Sequence, residues 1–405
     1  MHDSTTTVTE QLGSDYVHDP YSVVRRLRVE APVCRVSLPR GTKAWLITRY
    51  AEARAALADP RLGKDSGRLQ DLFERHAGIV RPNSDEENLL DTHMLNSDPP
   101  DHERLRRLVN KAFTSRRIEQ LRPRIQQITD DLLAAIDGTD EVDLLDALAF
   151  PLPMTVICEL LGVPTDDRDD FRAWSNLLIS GGEAEELEAA EKAMTHYLKA
   201  LVATKRATPG DDMLSALVQT RDESDTLTER ELVSMAFLLL VAGHETTVNL
   251  IGNGVLALIN NPDQQAALRA DLSLLPGAIE EFLRYEGPLN QATFRFTLEP
   301  TEIGGVVIPA DELVVVSLLS ANRDPDRFPD PDTLDIRREP GGHLAFGHGI
   351  HYCLGAPLAR LEAEIAFTSL LTRFSKMTLA IPVDEIIWRP GTLIRGLQRL
   401  PVRLS

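Results

Sequence analysis

Between Thr228 and Ile259 the chain carries an apolar pattern that only a buried helix can satisfy. Thr228 and Glu231 stand at capping-box spacing, ahead of Leu232, Val233, Met235, Ala236, Leu239 and Leu240. The pattern persists until Asn260-Asn261-Pro262 stops it. Such a helix would be roughly 45–50 Å long, enough to cross a whole domain. It is apolar nearly all round, so the rest of the chain has to cover it. One tract breaks the pattern, Ala242-Gly243-His244-Glu245-Thr246-Thr247. A mid-helix glycine costs about 1 kcal/mol, and threonine hydroxyls divert carbonyls, so a local bulge is expected here. Glu245 is costly in such surroundings unless it is paired or hydrated. The tract reads either as a kink with a solvated carboxylate or as a functional site.

The remaining chain is mostly helical, with strand-like patches near each end. Val33 to Leu38 and Lys43 to Thr48 form β-rich runs around Pro39-Arg40-Gly41, which reads as a hairpin. Residues 62–97 are polar and irregular, too long for an ordinary connection, and read as a functional loop. Helical spacing fills Asp101 to Ile136, with Pro123 opening a second helix. Further helices are expected around Met154 to Leu161, Asp166 to Leu178 and Glu183 to Lys205, with Gly181-Gly182 as a joint. Another should begin near Pro276 and end at Gly287-Pro288. Short strands follow over Ala292 to Thr297, Thr301 to Ile308 and Leu313 to Leu318, and a last helix begins near Leu354. No repeat or linker divides the chain. The expected fold is mainly α: one helical domain over 1–405, a small antiparallel β portion, and a flexible start over residues 1–16.

Composition narrows the function. The 405 residues include 43 Lys and Arg against 62 Asp and Glu, a formal net charge of −19. Such a surface repels phosphate backbones and anionic lipid, which argues against nucleic acid and membrane as partners. The stretch from Met1 to Tyr16 is polar and lacks the apolar core of a secretory signal. The longest uninterrupted apolar run, Met235 to Ala242, is far short of the ~20 residues of a bilayer span. A soluble, cytoplasmic monomer is the expectation.

Three cysteines occur, Cys34, Cys158 and Cys353, too far apart for a disulfide framework or a four-thiolate cluster. Cys353 lies in Phe346-Gly347-His348-Gly349-Ile350-His351-Tyr352-Cys353-Leu354-Gly355. Its glycines permit tight turns and a close approach to a flat ligand. Leu358, Leu361, Ile365 and Leu370 then mark a helical face, so Cys353 stands at a helix N-terminus, where the dipole favours a thiolate. A buried structural thiol is the bland alternative. A zinc site of His343, His348, His351 and Cys353, or a cysteine hydrolase using His351, also stays open.

The spacing Phe346-x-x-Gly-x-His-x-Cys-x-Gly resembles the haem-binding signature of the cytochrome P450 family, and further motifs follow in the family's order along nearly the whole chain. The resemblance implies haem b held by Cys353, with Phe346, Gly347 and Gly355 shaping the loop around the sulfur. It makes Glu245 and Thr246 the acid–alcohol pair that passes protons to bound oxygen, Glu245 being the link to solvent. Glu281 and Arg284 match the family's Glu-x-x-Arg, with Arg327 as the third, later member of that scaffold. His102, Arg106, Arg295 and His351 would hold the haem propionates. Leu239, Ala242, Leu289, Ala292 and Ile394, with the 62–97 loop and the Gly181-Gly182 joint, would line the substrate pocket. Electrons would come from a separate ferredoxin and ferredoxin reductase, docking near the basic stretch Arg104 to Arg124. The wording is similar to actinobacterial enzymes that hydroxylate or epoxidise macrolides and other polyketides, so O2 and a large apolar molecule are the expected substrates. A steroid-like or xenobiotic substrate, or a haem sensor without turnover, is the alternative.

Overall fold

The computed structural model describes residues 9–13, 16, 19–38, 41–77, 89–180, 183–222, 225–339 and 341–405. The chain divides into two compact units, each assembled from three stretches. One comprises Pro82–Ile279, Leu354–Ile387 and Leu397–Ser405; the other Met1–Arg81, Glu280–Cys353 and Trp388–Gly396.

The first unit is built around the helix Glu229–Asn260. The Thr228 hydroxyl accepts from the Glu231 N–H at 3.2 Å, and the Thr228 N–H donates to Glu231 Oε2 at 2.8 Å, which closes the expected capping box. Helices Pro151–Leu161, Ala184–Ala207 and Ala356–Arg373 pack against it, as does a wide turn at Leu145–Ala149. By length and composition this helix could cross a bilayer, but most of it is buried inside its own unit. The expected bulge is absent, because the helix is unbroken through Gly243-His244-Glu245-Thr246-Thr247. Thr246 Oγ1 does donate to the Ala242 carbonyl at 3.0 Å. That bond is added without ending the helix, since packing on the flanking turns holds the backbone in place. Gly243 serves packing: a Cβ there would lie 2.9 Å from Ile157 Cδ1. The unit's C-terminal sheet pairs Met377–Leu379 with Pro401–Leu404, and the latter with Glu141–Asp143.

The second unit holds a six-stranded sheet. Its strands are β1 (Glu10–Gln11), β2 (Val33–Ser37), β3 (Lys43–Ile47), β4 (Leu62–Gly63), β5 (Arg295–Thr297) and β6 (Leu313–Val316). Their order across the sheet is β1-β2-β3-β6-β5-β4. β2 and β3 form the expected hairpin, Val33 opposite Ile47 and Ser37 opposite Lys43; Pro39 and Arg40 of its turn lie outside the described residues. Alternate residues feed two apolar clusters: Ala44, Leu46, Leu313 and Val315 on one face, Trp45, Ile47, Val314 and Val316 on the other. This period of two is what a strand covered on both faces requires.

Two expectations change. Much of 62–97 is regular: β4 is followed by helix Ser66–Ala77, which buries Leu69 and Leu72, and by a short turn at Met94–Asn96. Leu69, Leu72 and Phe73 have helical spacing that the surrounding polar residues obscure. Residues 78–88 of that stretch, and the joint at Gly181-Gly182, lie outside the described residues. Within the start of the chain that was expected to be flexible, β1 pairs with β2, and Leu12 and Tyr16 are buried.

Removing the cap tests how far the long helix depends on its first turn. Thr228→Ala should lower the unfolding free energy by about 1 kcal/mol and Thr228→Ser by much less, as read by urea denaturation.

Candidate active site

The cysteine loop closes on itself. The Gly347 N–H donates to the Leu344 carbonyl at 2.8 Å, and the Cys353 N–H returns to the Phe346 carbonyl at 2.9 Å. Gly347 and Gly349 have φ of 72° and 76°, in the left-handed region that side chains avoid. A Cβ on Gly349 would also lie 2.8 Å from the Leu57 carbonyl oxygen. The loop thus lifts Cys353 to the surface, three residues ahead of helix Ala356–Arg373. The other two cysteines are buried, and burial pushes both thiols up to about 11. Cys353 alone is therefore accessible to an external iron, and the loop suits a thiolate-bound haem.

The zinc alternative fails on geometry. His343 Nε2 meets Glu280 Oε2 at 3.0 Å, while its Nδ1 accepts the Ala345 N–H at 3.2 Å. Among the described residues no cluster of three His, Cys, Asp or Glu side chains is arranged to hold a metal ion.

Glu281 and Arg284 are both buried and form a fork, Arg284 Nε and Nη2 each donating to the carboxylate at 2.7 Å. The third member is Arg338, whose Nε donates to Glu281 Oε1 at 3.2 Å, and the Asp335 N–H reaches the same oxygen at 2.9 Å. Arg284 extends onward to the carbonyls of Asn322, Pro331 and Thr333. The assignment of Arg327 to this cluster is corrected. Phe328 takes the buried place in its turn, leaving Arg327 exposed over the Tyr50 and Phe328 rings at 5.5 and 5.0 Å.

Of the residues expected to hold propionates, His102 and Arg106 lie four apart on helix Asp101–Ala112, His102 buried and Arg106 half-buried. Arg295 is buried in β5 of the other unit, with Nη2 donating to the Leu57 carbonyl at 3.1 Å. His351, in the same unit as Arg295, is half-buried in the turn Gly349–His351. The expected pocket residues also divide. Leu289 and Ile394 face each other in an isolated β-bridge, and the Ala292 N–H bonds the Val316 carbonyl at 2.9 Å. Leu239 and Ala242 lie on the long helix.

That helix shows where a ligand could lie. Between Leu232 and Leu258 only Phe237, Val241, Ala242, Gly243 and Thr246 escape burial. Ala242, Gly243 and Thr246 share one stripe with Leu239, at the i, i+3, i+4, i+7 spacing of a helical face. Glu245 beside them is buried, and Asn249 Nδ2 donates to its carbonyl at 2.8 Å and to Oε1 at 3.3 Å. Glu245 is thus folded back along its own helix and not presented to solvent. Asn249 was not singled out from sequence, although its position four residues on makes that contact readable.

Glu362 was missed as well. It is buried on helix Ala356–Arg373, which packs against the long helix, and burial pushes its carboxyl up to about 8. It reads in sequence as one more charge on an amphipathic helix; its neutrality is a product of packing. The basic stretch is in part neutralised, since Arg104, Arg122 and Arg124 pair with Glu231, Glu364 and Glu159.

The family model "Cytochrome P450" matches residues 168–380. The chain is 52% identical over 397 residues to the cytochrome P450 monooxygenase PikC of Streptomyces venezuelae, covering 97% of this chain and 92% of the relative. It is 48% identical over 405 residues to the vitamin D(3) 25-hydroxylase of Pseudonocardia autotrophica, covering 99% and 98%. Among solved structures, the tirandamycin C-bound P450 monooxygenase TamI superimposes with a TM-score of 0.91 at 56% identity, covering 98% of this chain and 100% of that one.

Two outcomes distinguish the scaffold assignments. Arg338→Ala should cost about 2 kcal/mol, because it removes a charged hydrogen-bond donor from the buried Glu281 carboxylate. Arg327→Ala should cost less than about 1 kcal/mol. Denaturant unfolding of the two variants decides which arginine belongs to the cluster.

Glu362 makes a prediction about pH. The folded carboxyl titrates near 8 and the unfolded one near its ordinary 4.5, so the unfolded chain releases the proton first as pH rises. Stability should decline from about pH 4.5 to about pH 8 and then level off. Glu362→Gln cannot ionise, so it should match the parent at the acid end and exceed it above that window in denaturation series across pH.

Proposed function

Because the chain belongs to the cytochrome P450 family, we propose that Cys353 is its haem-ligating thiolate and that its substrate is a macrolide or other polyketide. The enzyme is a haem-dependent monooxygenase, drawing on O2, an organic substrate and outside electron donors. When bound, haem b with a cysteine thiolate supplies the O2 activation that puts one oxygen atom into a C–H bond. The rest falls to this chain's own residues. Phe346, Gly347 and Gly355 keep the Cys353 sulfur in place at the helix start. His102, Arg106, Arg295 and His351 are the donors assigned to the propionate carboxylates. Glu281, Arg284 and Arg338 hold the scaffold behind the cysteine loop.

Thr246 and Glu245 manage protons. The Thr246 hydroxyl donates at rest to the Ala242 carbonyl, and turning it toward the open stripe makes it a proton donor there. Glu245 re-protonates it, and leaving the Asn249 amide is the motion that exposes the carboxylate to water. Leu239, Ala242, Leu289, Ala292 and Ile394 are the apolar residues assigned to substrate. The whole chain, 1–405, works as one cytoplasmic, monomeric monooxygenase. Its electrons arrive through a ferredoxin and its reductase, docking near the basic stretch Arg104 to Arg124.

The observation that carries this reading is the accessible Cys353 in its glycine-turned loop, in a chain whose other two thiols are buried. The polyketide assignment is supported by 41% identity over 398 residues to the polyketide biosynthesis cytochrome P450 PksS of Bacillus subtilis. The vitamin D(3) hydroxylase likeness favours a steroid-like substrate as the second reading.

Titration of the ferric Soret band with a panel of macrolactones, linear polyketides and steroids tests the substrate. Polyketides should move the band from low to high spin; a response to steroids alone selects the second reading. Cys353→Ser should abolish the red-shifted absorbance of the reduced carbon monoxide complex. Retained oxygenation in that variant would overturn the ligand assignment.

A further inference from the structure

The segment Trp388–Gly396 is fastened to the stretch that follows Glu286 from two sides. On the backbone side, Leu289 and Ile394 sit opposite each other in an antiparallel bridge. The Asn290 N–H donates to the Leu393 carbonyl at 2.9 Å, and the Arg395 N–H donates to the Pro288 carbonyl at 2.8 Å. Neighbouring residues of an extended segment point to opposite faces, so Ile394 and Arg395 diverge. Ile394 and Leu289 remain half-buried, while Arg395 is buried.

The buried face is ionic and aromatic. Arg395 Nε donates to Glu286 Oε1 at 2.9 Å, and its guanidinium lies 3.4 Å from the centroid of the Trp388 ring. The Tyr21 hydroxyl donates to the same Glu286 oxygen at 2.8 Å. Burial first, and Glu286 second, push that hydroxyl well above its ordinary range, so it stays a donor at neutral pH. Arg323 stands 3.6 Å from the other Glu286 oxygen, bonds the Tyr285 carbonyl at 2.6 Å and stacks over Tyr21 at 3.8 Å. Glu286 is therefore shared by two buried arginines, and Arg323 pairs with Asp332 as well, at 3.2 Å. A planar guanidinium wedged between an aromatic face and a carboxylate has little freedom to shift, whereas a backbone bridge of two residues is short enough to slide.

We propose that Arg395, clamped by Glu286 and Trp388, is the positioning residue that sets where Ile394 and Leu289 stand, and so which carbon of the substrate is presented for oxidation. This rests on the reading of Ile394 and Leu289 as substrate-lining residues. The clamp acts through the chain: releasing Arg395 frees the 388–396 segment, and the apolar wall moves with it.

The test uses the haem-loaded enzyme and two iron ligands, imidazole and 4-phenylimidazole, titrated by Soret difference spectra. Imidazole binds iron without reaching an apolar wall, whereas the phenyl ring of the larger ligand needs one. Arg395→Met and Glu286→Gln should weaken 4-phenylimidazole relative to imidazole by about fivefold. Arg395→Lys should fall between parent and Arg395→Met, since an ammonium keeps the charge but not the planar stack. Ile394→Ala is the control for the wall itself. If Ile394→Ala changes the ratio and the clamp variants do not, the inference is overturned while the pocket reading stands. If Ile394→Ala also leaves the ratio unchanged, both are overturned. A lowered Tm with an unaltered ratio marks the clamp as structural only and likewise overturns the inference. Should Arg395→Met not retain haem, Trp388→Leu and Arg395→Lys carry the same comparison.

Discussion

A 32-residue helix that is apolar on nearly every side has to be covered, and that requirement organises its whole unit. Pro151–Leu161, Ala184–Ala207 and Ala356–Arg373 pack against it, and the cover is incomplete chiefly at Ala242 and Thr246. An uncovered stripe in the middle of such a helix is where apolar surface remains for a ligand to bury. Thr246 lies on that stripe, and Glu245 lies buried beside it against Asn249. The same helix packs against Ala356–Arg373, on which the Glu362 carboxyl is buried.

In the other unit, buried charge defines geometry. Glu281 is shared by Arg284 and Arg338, and Glu286, one helical turn and a residue further on, is shared by Arg395 and Arg323. Burying such groups brings little net stability, because desolvation offsets most of the attraction. What they provide is a single allowed arrangement. The first cluster ties the helix Leu275–Tyr285 to the 322–338 loops that precede the cysteine loop. The second ties the 388–396 segment to the turn carrying Leu289. A sheet with two buried faces supports both, and its alternating residues leave few positions for polar side chains.

Much of this was legible before any coordinates. The capping box at Thr228, the stop at Asn261-Pro262, the β2–β3 hairpin and the cysteine loop follow from local rules, because each depends on residues within a few positions of one another. The accessible thiol at Cys353 belongs to the same class: glycines at 347 and 349 dictate the turn. Where the reading went astray, distant residues decided. Helix Ser66–Ala77 is fixed by burial of Leu69 and Leu72 against the sheet, a pairing that its polar composition conceals. The helix tract at 243–247 stays straight because neighbouring helices hold it, although its local propensities favour a bulge.

The amino-acid order by itself determined where the candidate groups stand: one cysteine in a glycine loop, one acid–alcohol pair in an apolar helix, one Glu-x-x-Arg. These are set by short-range spacing, and spacing is written in the chain. Tertiary structure alone decided the partners. It chose Arg338 over Arg327 for Glu281, turned Glu245 onto Asn249, and made Glu362 a neutral acid. The reason is that desolvation and long-range pairing depend on what the fold places around a group, and that surrounding is absent until the chain is packed.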